Sequence, residues 1–476
     1  MRVALILPPC TEEEIFGKLT GSHPVLPPLD LASIASSLKV QGHNVTIYDC
    51  FAGHISKEQL KILLEENKPQ VVGITVDLSS LSSPLLPQAY DVAKLCKNIN
   101  SSVKTIFYGY SLTRFPDWIL SKDQVDFVIL GEGEVTAGEL LKTIERRDDL
   151  GRVDGLGFKL DGKIIINQRR EQINNLDILP LPAYQLLPIE KYRVCPTSIK
   201  KQRQMTIMSS RGCPFNCYLC TSPLFWRRKW RGHSPEYIIK NMDYLYKEYG
   251  IEDFQFRDDI FTFDRNRVKE FCTLLIKEKR TYVWNCYATF NTIDEGLVKL
   301  MKKAGCYQLD LGVETGEEQI LKEYKKITKS MVKRMMVIMK DAGMETRLFF
   351  IIGPPSKTIQ DVEKTIEFAI ELDPDYVIFS PSAPYPGSQF YDQLVEKGYQ
   401  LPDFEKELFI ENEAICDLPD FNRKYINIMV KKAFRKFYLR PRYVLKKILS
   451  IKSFHQLKYL FRSFISLISF IGGSKK

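Results

Sequence analysis

The feature that most constrains the fold is a regular alternation of short β-rich runs with segments of helical periodicity. It occupies two stretches of the 476-residue chain, residues 1 to about 150 and residues 203 to about 400. Strands that are almost unbroken apolar runs are typical of a parallel sheet covered by helices on both faces. The sequence therefore predicts an α/β protein with two parallel sheets, and the chain is long enough to form two cores.

The first stretch contains five predicted strands joined by helical segments. Because parallel strands need crossover connections, this pattern predicts a doubly wound, flavodoxin-like domain over residues 1–150, with ligands bound beyond the carboxyl ends of the strands. The predicted strands are 2–7, 44–49, 71–75, 104–108 and 126–130, and the predicted helices lie near 29–41, 57–66, 87–99 and 134–146.

The second stretch contains six β/α units, which predict a partial (β/α)6 barrel over residues 201–400 with its active site at the carboxyl ends of the strands. Residues 151–200 separate the two domains, with a hairpin around Asp161-Gly162 and a proline-punctuated connector. The predicted barrel strands are 205–210, 253–258, 283–288, 307–314, 347–353 and 376–380.

Three cysteines lie within eight residues directly after the first barrel strand. In SSRGCPFNCYLCTS, Cys213, Cys217 and Cys220 follow a C-x3-C-x2-C spacing. A structural zinc site normally takes four protein ligands, often as two cysteine pairs, and no second pair complements this loop. Three thiolates suit a [4Fe–4S] cluster whose fourth iron is open to a small molecule. Three ordinary cysteines or an unusual zinc loop are the alternatives.

The spacing resembles the signature of the radical S-adenosylmethionine (SAM) superfamily. The resemblance implies that SAM binds the open iron and that an electron from the cluster cleaves its sulfonium. The resulting 5′-deoxyadenosyl radical then removes a hydrogen atom from the substrate. An external electron donor of the flavodoxin or ferredoxin type is also implied. The loop departs from the usual pattern at Leu219, where an aromatic residue is common, with Tyr218 one position earlier.

Further barrel segments resemble the SAM-binding segments of this superfamily. FRDDIFTFD resembles the segment near the SAM amino group and carries Asp258 and Asp259, for which a helix cap or solvated turn is the alternative. LGVETG places Glu314 at a position of polar contact to SAM, with a surface salt bridge as the alternative. FFIIGPPSKT resembles the segment near the adenine, where Gly353 permits close backbone approach. The resemblance assigns no catalytic side chain.

Residues 27–49, 71–75 and 126–141 resemble the cobalamin-binding domain of one radical SAM class. The Asp-x-His-x-x-Gly box is absent, as is common in that class, and YGYSLT retains only Gly109 of a Gly-Gly-x-His pattern. A merely structural α/β domain is the alternative. The implied cobalamin contacts at the strand ends are Thr75, Ser79, Gly109, Tyr110, Gly131, Glu132 and Gly133.

The net charge of +10 is concentrated at the C-terminus. Residues 431–476 contain 13 Lys and Arg and no Asp or Glu, which leaves a net charge of −3 on the first 430 residues. Basic residues alternate there with Phe, Tyr, Leu and Ile, so residues 401–476 are predicted to form a basic amphipathic helical region in contact with an anionic membrane surface. A helix packed on the barrel is the alternative, and binding to nucleic acid is disfavoured.

These features predict a cytoplasmic enzyme, because no signal peptide and no secreted disulfide framework is visible. The resemblance implies a radical SAM enzyme with a [4Fe–4S] cluster, SAM and cobalamin, which transfers a methyl group to an unactivated carbon of a small molecule, lipid or isoprenoid. One rival is a non-methylating radical SAM enzyme that cyclises, couples or oxidises its substrate. The other is an iron–sulfur electron carrier or adaptor, which SAM cleavage by the reduced protein would exclude.

Overall fold

The structure is a computed structural model and describes residues 1–16, 23–78, 81–109, 111–194, 199–403, 413–449 and 454–472. Two predicted cobalamin contacts, Ser79 and Tyr110, lie outside the described residues. The strands are β1 Arg2–Leu7, β2 Asn44–Asp49, β3 Val71–Thr75, β4 Asp77–Leu78, β5 Leu81–Pro84, β6 Lys104–Tyr108, β7 Phe127–Ile129, β8 Leu156–Leu160, β9 Lys163–Ile166, β10 Gln204–Ile207, β11 Ser210–Arg211, β12 Arg231–Gly232, β13 Asp253–Phe256, β14 Val283–Ala288, β15 Cys306–Glu314, β16 Glu345–Ile352 and β17 Tyr376–Pro381.

The helices cover the two sheets and form the C-terminal region. They are α1 Glu12–Phe16, α2 Leu29–Val40, α3 Cys50–Gly53, α4 Lys57–Asn67, α5 Leu86–Ile99, α6 Pro116–Leu120, α7 Gly133–Arg146, α8 Ser222–Trp226, α9 Pro235–Tyr249, α10 Arg265–Lys277, α11 Glu295–Lys303, α12 Glu318–Ile320, α13 Lys329–Asp341, α14 Ile359–Leu372, α15 Gln389–Glu396, α16 Arg423–Tyr438, α17 Pro441–Leu449 and α18 Phe454–Gly472. A π-helical turn, Leu321–Lys325, continues α12.

The first sheet has the strand order β2-β1-β3-β6-β7-β8-β9. Its first five strands are parallel, and β3 is buried along its whole length because helices cover both faces. Helices α2 and α7 pack together on one side, and α4 and α5 pack together on the other. The predicted doubly wound, flavodoxin-like domain is confirmed.

The predicted hairpin is an extension of this sheet. Strands β8 and β9 pair antiparallel, and β8 pairs antiparallel with β7. Asp161 and Gly162 both have positive φ values, 50° and 75°, as a two-residue type I′ turn requires. The hairpin covers β7, which would otherwise be an unpaired edge. The first sheet thus continues to Ile166, past the boundary predicted at residue 150.

The second sheet consists of six parallel strands in the order β10-β13-β14-β15-β16-β17. Phe256 and Trp284 point to the helices, where they pack against Phe271. Because side chains alternate along a strand, the neighbouring Gln255 and Asn285 point into the curve of the sheet. The predicted partial barrel is confirmed, and its concave face carries buried polar side chains.

Helices α16 to α18 are the last described helices and form the C-terminal region. Helix α16 packs on the second sheet, where the Phe434 ring lies 5.6 Å from that of Phe379. Helix α18 packs on α16 through Phe470, whose ring lies 5.7 Å from that of Phe434. Among the described helices, none is long and apolar enough to cross a membrane.

Candidate active site

The cysteine loop, residues 212–230, is closed by a short antiparallel ribbon. Strand β11 leads into the loop, and β12 leads out of it and pairs with β11. Gly212 begins the loop with a φ of +86°, and a Cβ atom at this position would lie 2.2 Å from the backbone oxygen of Lys229. Only glycine fits where the backbone at residue 212 passes so close to that of Lys229. This close approach starts the turn that carries the three cysteines.

The three cysteines are free thiols on one loop. Cys213 and Cys217 are half-buried, whereas the side chain of Cys220 is exposed. Burial raises the pKa of Cys213 to about 11, and the carboxylate of Asp259 adds to the shift. Since iron binds thiolates, cluster assembly must release the thiol protons. In the described part of the chain, no group of three or more His, Cys, Asp or Glu side chains is arranged to hold a single metal ion. Three thiols on one loop fit a [4Fe–4S] cluster, in which each thiolate would bind a different iron.

The adjacent aspartates have different surroundings. Asp258 is buried, and its carboxylate accepts hydrogen bonds from the backbone N–H of Ser209 at 2.7 Å and from the hydroxyls of Ser209 and Ser210, each at 2.6 Å. Asp259 accepts from the backbone N–H of Gly212 at 3.1 Å and faces the open space beside the loop. Burial raises the pKa of the Asp258 carboxyl group. Asp258 therefore braces the backbone before the loop, and Asp259 is the better placed of the two for the predicted contact to SAM.

Glu314 lies at a bulge of β15 with a φ of +75°, where the register to β16 shifts. Its carboxylate accepts a hydrogen bond at 2.9 Å from the ammonium group of Lys325. Burial opposes the charge of Lys325, but Glu314, together with Cys217 and Cys220 in their thiolate forms, outweighs it and raises the pKa of Lys325. A charged lysine thus stands beside the cysteine loop. Sequence reasoning missed it, and its position in a π-helical turn, a feature frequent at functional sites, is visible only in the structure.

Gly353 ends the fifth barrel strand with a φ of +110°. A Cβ atom there would lie 3.3 Å from the Cβ of Ser382 and 3.4 Å from Ile426 Cδ1. A side chain at Gly353 would therefore press against Ser382 and Ile426, and the contact of Gly353 with adenine stays a prediction.

The strand ends of the first sheet form a glycine-lined edge. A Cβ atom at Gly109 would lie 2.6 Å from Asp77 Oδ2, and one at Gly133 would lie 2.6 Å from Ile34 Cδ1. Gly131 has a φ of +87°. Thr75 is fully buried at the end of β3. A side chain at Gly109 or Gly133 would clash with these protein atoms, whereas a Cβ atom at Gly131 would meet only Arg169 Nε at 3.8 Å, so Gly131 is the open part of this edge.

The open backbone at Gly131 is the part of the edge that permits close approach of a large flat ligand such as the macrocycle of cobalamin. A small apolar void of about 20 Å³ lies between α2 and α7. It has room for about one water molecule and does not admit a bulky group. Its lining residues are Val3, Leu5, Leu31, Ile34, Leu38, Gly73, Ile106, Tyr108, Ile129, Ala137 and Leu141.

Glu132 occupies a different environment from its neighbouring glycines. Its carboxylate is buried and binds Arg211 and Arg231 of the second domain. The structure therefore places Glu132 in a contact between the domains, and its predicted contact with cobalamin stays a prediction.

Comparisons with known proteins agree with this geometry. The radical SAM superfamily model matches residues 207–369, and the B12 binding domain model matches residues 20–141. An uncharacterized methyltransferase of Pyrococcus horikoshii is 33% identical over 453 residues, which cover 94% of this chain and 95% of that protein. The chain belongs to the cobalamin-dependent radical SAM methyltransferase family.

Other relatives in this radical SAM group act on different compounds. The anaerobic magnesium-protoporphyrin IX monomethyl ester cyclase of Rubrivivax gelatinosus is 27% identical, over 88% of this chain and 75% of that protein. The hopanoid C-3 methylase of Methylococcus capsulatus is also 27% identical, over 80% of this chain and 72% of that protein. The methyltransferase TsrM of Kitasatospora setae, solved with cobalamin and a [4Fe–4S] cluster, has the same fold, with a TM-score of 0.73 at 14% identity over all of both chains.

The family assignment confirms the predicted enzyme class and cofactor set, namely a [4Fe–4S] cluster, SAM and cobalamin. The domain boundaries and the roles of individual site residues stay predictions.

Proposed function

We propose that this radical SAM methyltransferase methylates an unactivated carbon of an apolar substrate, of lipid or isoprenoid type. When bound, the cluster with SAM supplies a hydrogen-abstracting radical, and cobalamin supplies the methyl group. The observation that carries the proposal is the aromatic border of the cysteine loop. Phe215 and Trp230 pack against Phe263 on one side, and Tyr218 packs between Tyr324 and Phe390 on the other. Such a border suits an apolar substrate.

Individual side chains of the protein have separate roles in binding the cluster and SAM. Cys213, Cys217 and Cys220 hold the cluster. Lys325 offers a positive charge to the carboxylate of SAM, and the carboxylate of Asp259 offers a partner to its amino group. These assignments pair each charge of the SAM amino-acid group with an opposite charge at the loop.

The reaction is tested with anaerobically reconstituted enzyme, hydroxocobalamin, a reductant and SAM that carries a deuterated methyl group. Isoprenoid and phospholipid extracts serve as substrate. We expect the labelled methyl group in the lipid fraction and 5′-deoxyadenosine in a matching amount. Formation of 5′-deoxyadenosine without transferred label would favour the non-methylating rival, a reaction type such as that named for the Rubrivivax relative.

We also propose that the C-terminal helices contact an anionic membrane surface from the cytoplasmic side. The outer face of α18 exposes Phe461, Phe464, Ile465 and Ile468, between 42% and 61% of each side chain. Their spacing of three, four and seven residues places them on one face, while Ser466 and Phe470 are buried on the other. An exposed apolar helix face in a segment without acidic residues fits the interface of an anionic bilayer.

The membrane proposal is tested by flotation with phosphatidylglycerol-containing vesicles and with phosphatidylcholine vesicles. We expect binding to the anionic vesicles only, weakened by salt and abolished by the double variant Phe461→Ser, Ile465→Ser. Val337→Ser, which alters an equally exposed apolar side chain on α13, is the matched control and should bind as the wild type does. A folded chain truncated at Arg440 that still floats would refute the proposal.

A further inference from the structure

Both ends of the cysteine loop are bound by one carboxylate of the first domain. Arg211 precedes the loop and Arg231 follows it, and the two residues are paired on the β11–β12 ribbon. Arg211 Nη1 lies 2.7 Å from Glu132 Oε1, and Arg231 Nη1 lies 2.7 Å from Glu132 Oε2. A ribbon of two residues per strand has little stability of its own. Its closure therefore depends on these ion pairs.

A second carboxylate extends the network. Glu134 Oε1 accepts hydrogen bonds from Arg211 Nη2 at 2.5 Å and from the hydroxyl of Ser33 at 2.7 Å. Arg231 also donates to the backbone oxygen of Ile173 at 2.7 Å. We call Glu132, Glu134, Arg211 and Arg231 the interdomain clasp. Its two carboxylates and two guanidinium groups have a net charge of zero, and none of its side chains is more than 11% exposed. Paired, hydrogen-bonded buried charges of this kind strongly favour one relative position of their partners.

The clasp joins the two cofactor regions by a short path. Glu132 stands between Gly131 and Gly133 on the glycine edge of the first sheet, and Arg211 is two residues before Cys213. The opposite side of the same segment is held by Asp258 through Ser209 and Ser210. The backbone that enters the cysteine loop is therefore fixed from both domains.

We propose that the interdomain clasp sets the distance between the glycine edge and the cysteine loop, with Glu132 as its principal positioning residue. In its consequence for catalysis this inference rests on the proposed methyl transfer. Loosening the clasp leaves the cluster ligands intact but lets the two cofactor regions move apart. The enzyme would then still abstract hydrogen atoms, but it would transfer fewer methyl groups for each hydrogen atom abstracted.

The first test needs no cofactor. Hydrogen–deuterium exchange is measured on the full-length apoprotein, comparing Glu132→Gln with the wild type. We expect protection of amides in residues 209–213 and 229–232 to fall about tenfold or more, with strands β13 to β16 unchanged. The matched control is Glu363→Gln, because Glu363 also binds two cations, Lys432 and Lys436, but joins α14 to α16. This control should leave the ribbon protected. Unchanged ribbon exchange in folded Glu132→Gln would overturn the proposal.

If Glu132→Gln does not fold, Arg231→Lys is measured in its place, since it keeps the charge and loses the planar fork. The second test uses reconstituted enzyme. We expect the ratio of 5′-deoxyadenosine to methylated product to rise several-fold in the clasp variant, with iron content and SAM affinity retained. A looser ribbon with an unchanged ratio would refute the distance-setting role. If the wild type itself methylates nothing, the proposed function fails, but the exchange result still decides whether the clasp holds the loop.

Discussion

At the cysteine loop, the half-buried ammonium group of Lys325 lies near thiols that lose their protons when iron binds. Its nitrogen lies 2.9 Å from the carboxylate of Glu314, which raises the pKa of Lys325. Once the thiols become thiolates, the negative charge around Lys325 increases. The lysine therefore remains charged through cluster assembly and through the binding of an anionic group.

Replacing Lys325 by methionine tests this role. Lys325→Met keeps most of the volume and removes the charge, so we expect SAM to bind about 10- to 100-fold more weakly, the range for a lost hydrogen bond to a charged group. Binding is measured by titration of the reconstituted enzyme. Lys364→Met, which removes an exposed lysine paired with Glu317, is the control and should bind SAM normally. Equal affinities in both variants would contradict the assignment.

The three cysteines provide a second prediction at this scale. Cys217→Ala removes one of three ligands, so we expect reconstituted protein to retain far less than the roughly four irons of a complete cluster. Iron analysis and the absorption spectrum after desalting measure the loss. Cys416→Ser alters a half-buried cysteine outside the loop and should retain full iron content. Full iron in Cys217→Ala would refute the ligand set.

Some residues of the candidate site could be predicted from the sequence, and others could not. The cysteines could be identified because their ligand spacing is local to one loop. Lys325 could not, because its approach to Glu314 depends on a π-helical turn and a strand bulge. Nor could the environment of Glu132, because its two arginines lie far along the chain in the other domain.

Among the elements, β13 begins at a buried carboxyl group. Asp253 accepts hydrogen bonds from the backbone N–H groups of Lys200 and Lys201 and from the hydroxyl of Tyr307. Burial nevertheless raises its pKa to about 6. The folded protein therefore holds a proton that the unfolded chain releases near pH 4, so Asp253 makes the free energy of unfolding fall as pH rises from about 4 to about 6.

The variant Asp253→Asn isolates this effect, because an amide does not titrate and, like the protonated carboxyl group, presents one acceptor oxygen and one donor. We expect the free energy of unfolding of the wild type, relative to the variant, to drop by up to about 3 kcal/mol between pH 4 and pH 7. Urea unfolding of the apoprotein at both pH values measures it. The same difference between the two proteins at both pH values would contradict the raised pKa.

The elements themselves follow closely from sequence periodicity. The prediction of strands 283–288 and 376–380 agrees with β14 and β17 to within one residue, because apolar runs flanked by polar turns leave little freedom. The attachment of the hairpin β8–β9 to the first sheet was not predicted. Local sequence indicates a hairpin but does not indicate which edge it covers.

The whole molecule is held together by more than the clasp. One continuous apolar core includes Leu5 of the first sheet, Tyr184 of the connector and Leu348 of the second sheet. Ala183 also donates a backbone hydrogen bond to Ala32 on α2 at 3.0 Å. Two domains that share a core and a buried ionic network are expected to unfold together.

Cobalamin binding should therefore stabilise the entire chain. At a cobalamin concentration about 100 times its dissociation constant, the gain is about 2.7 kcal/mol, which corresponds to a rise in melting temperature of about 3 °C for a chain of this size. Calorimetry of the apoprotein should show one transition that shifts as a whole. Two transitions, of which only one responds to cobalamin, would show that the domains unfold independently.

The exposure of Cys220 has a consequence for the behaviour of the protein in air. The Cys220 side chain is exposed in the structure, so its thiol can be reached from solvent before a cluster is assembled. The same exposure admits molecular oxygen. Oxidation of this single thiol would remove a predicted cluster ligand while the surrounding fold remained intact.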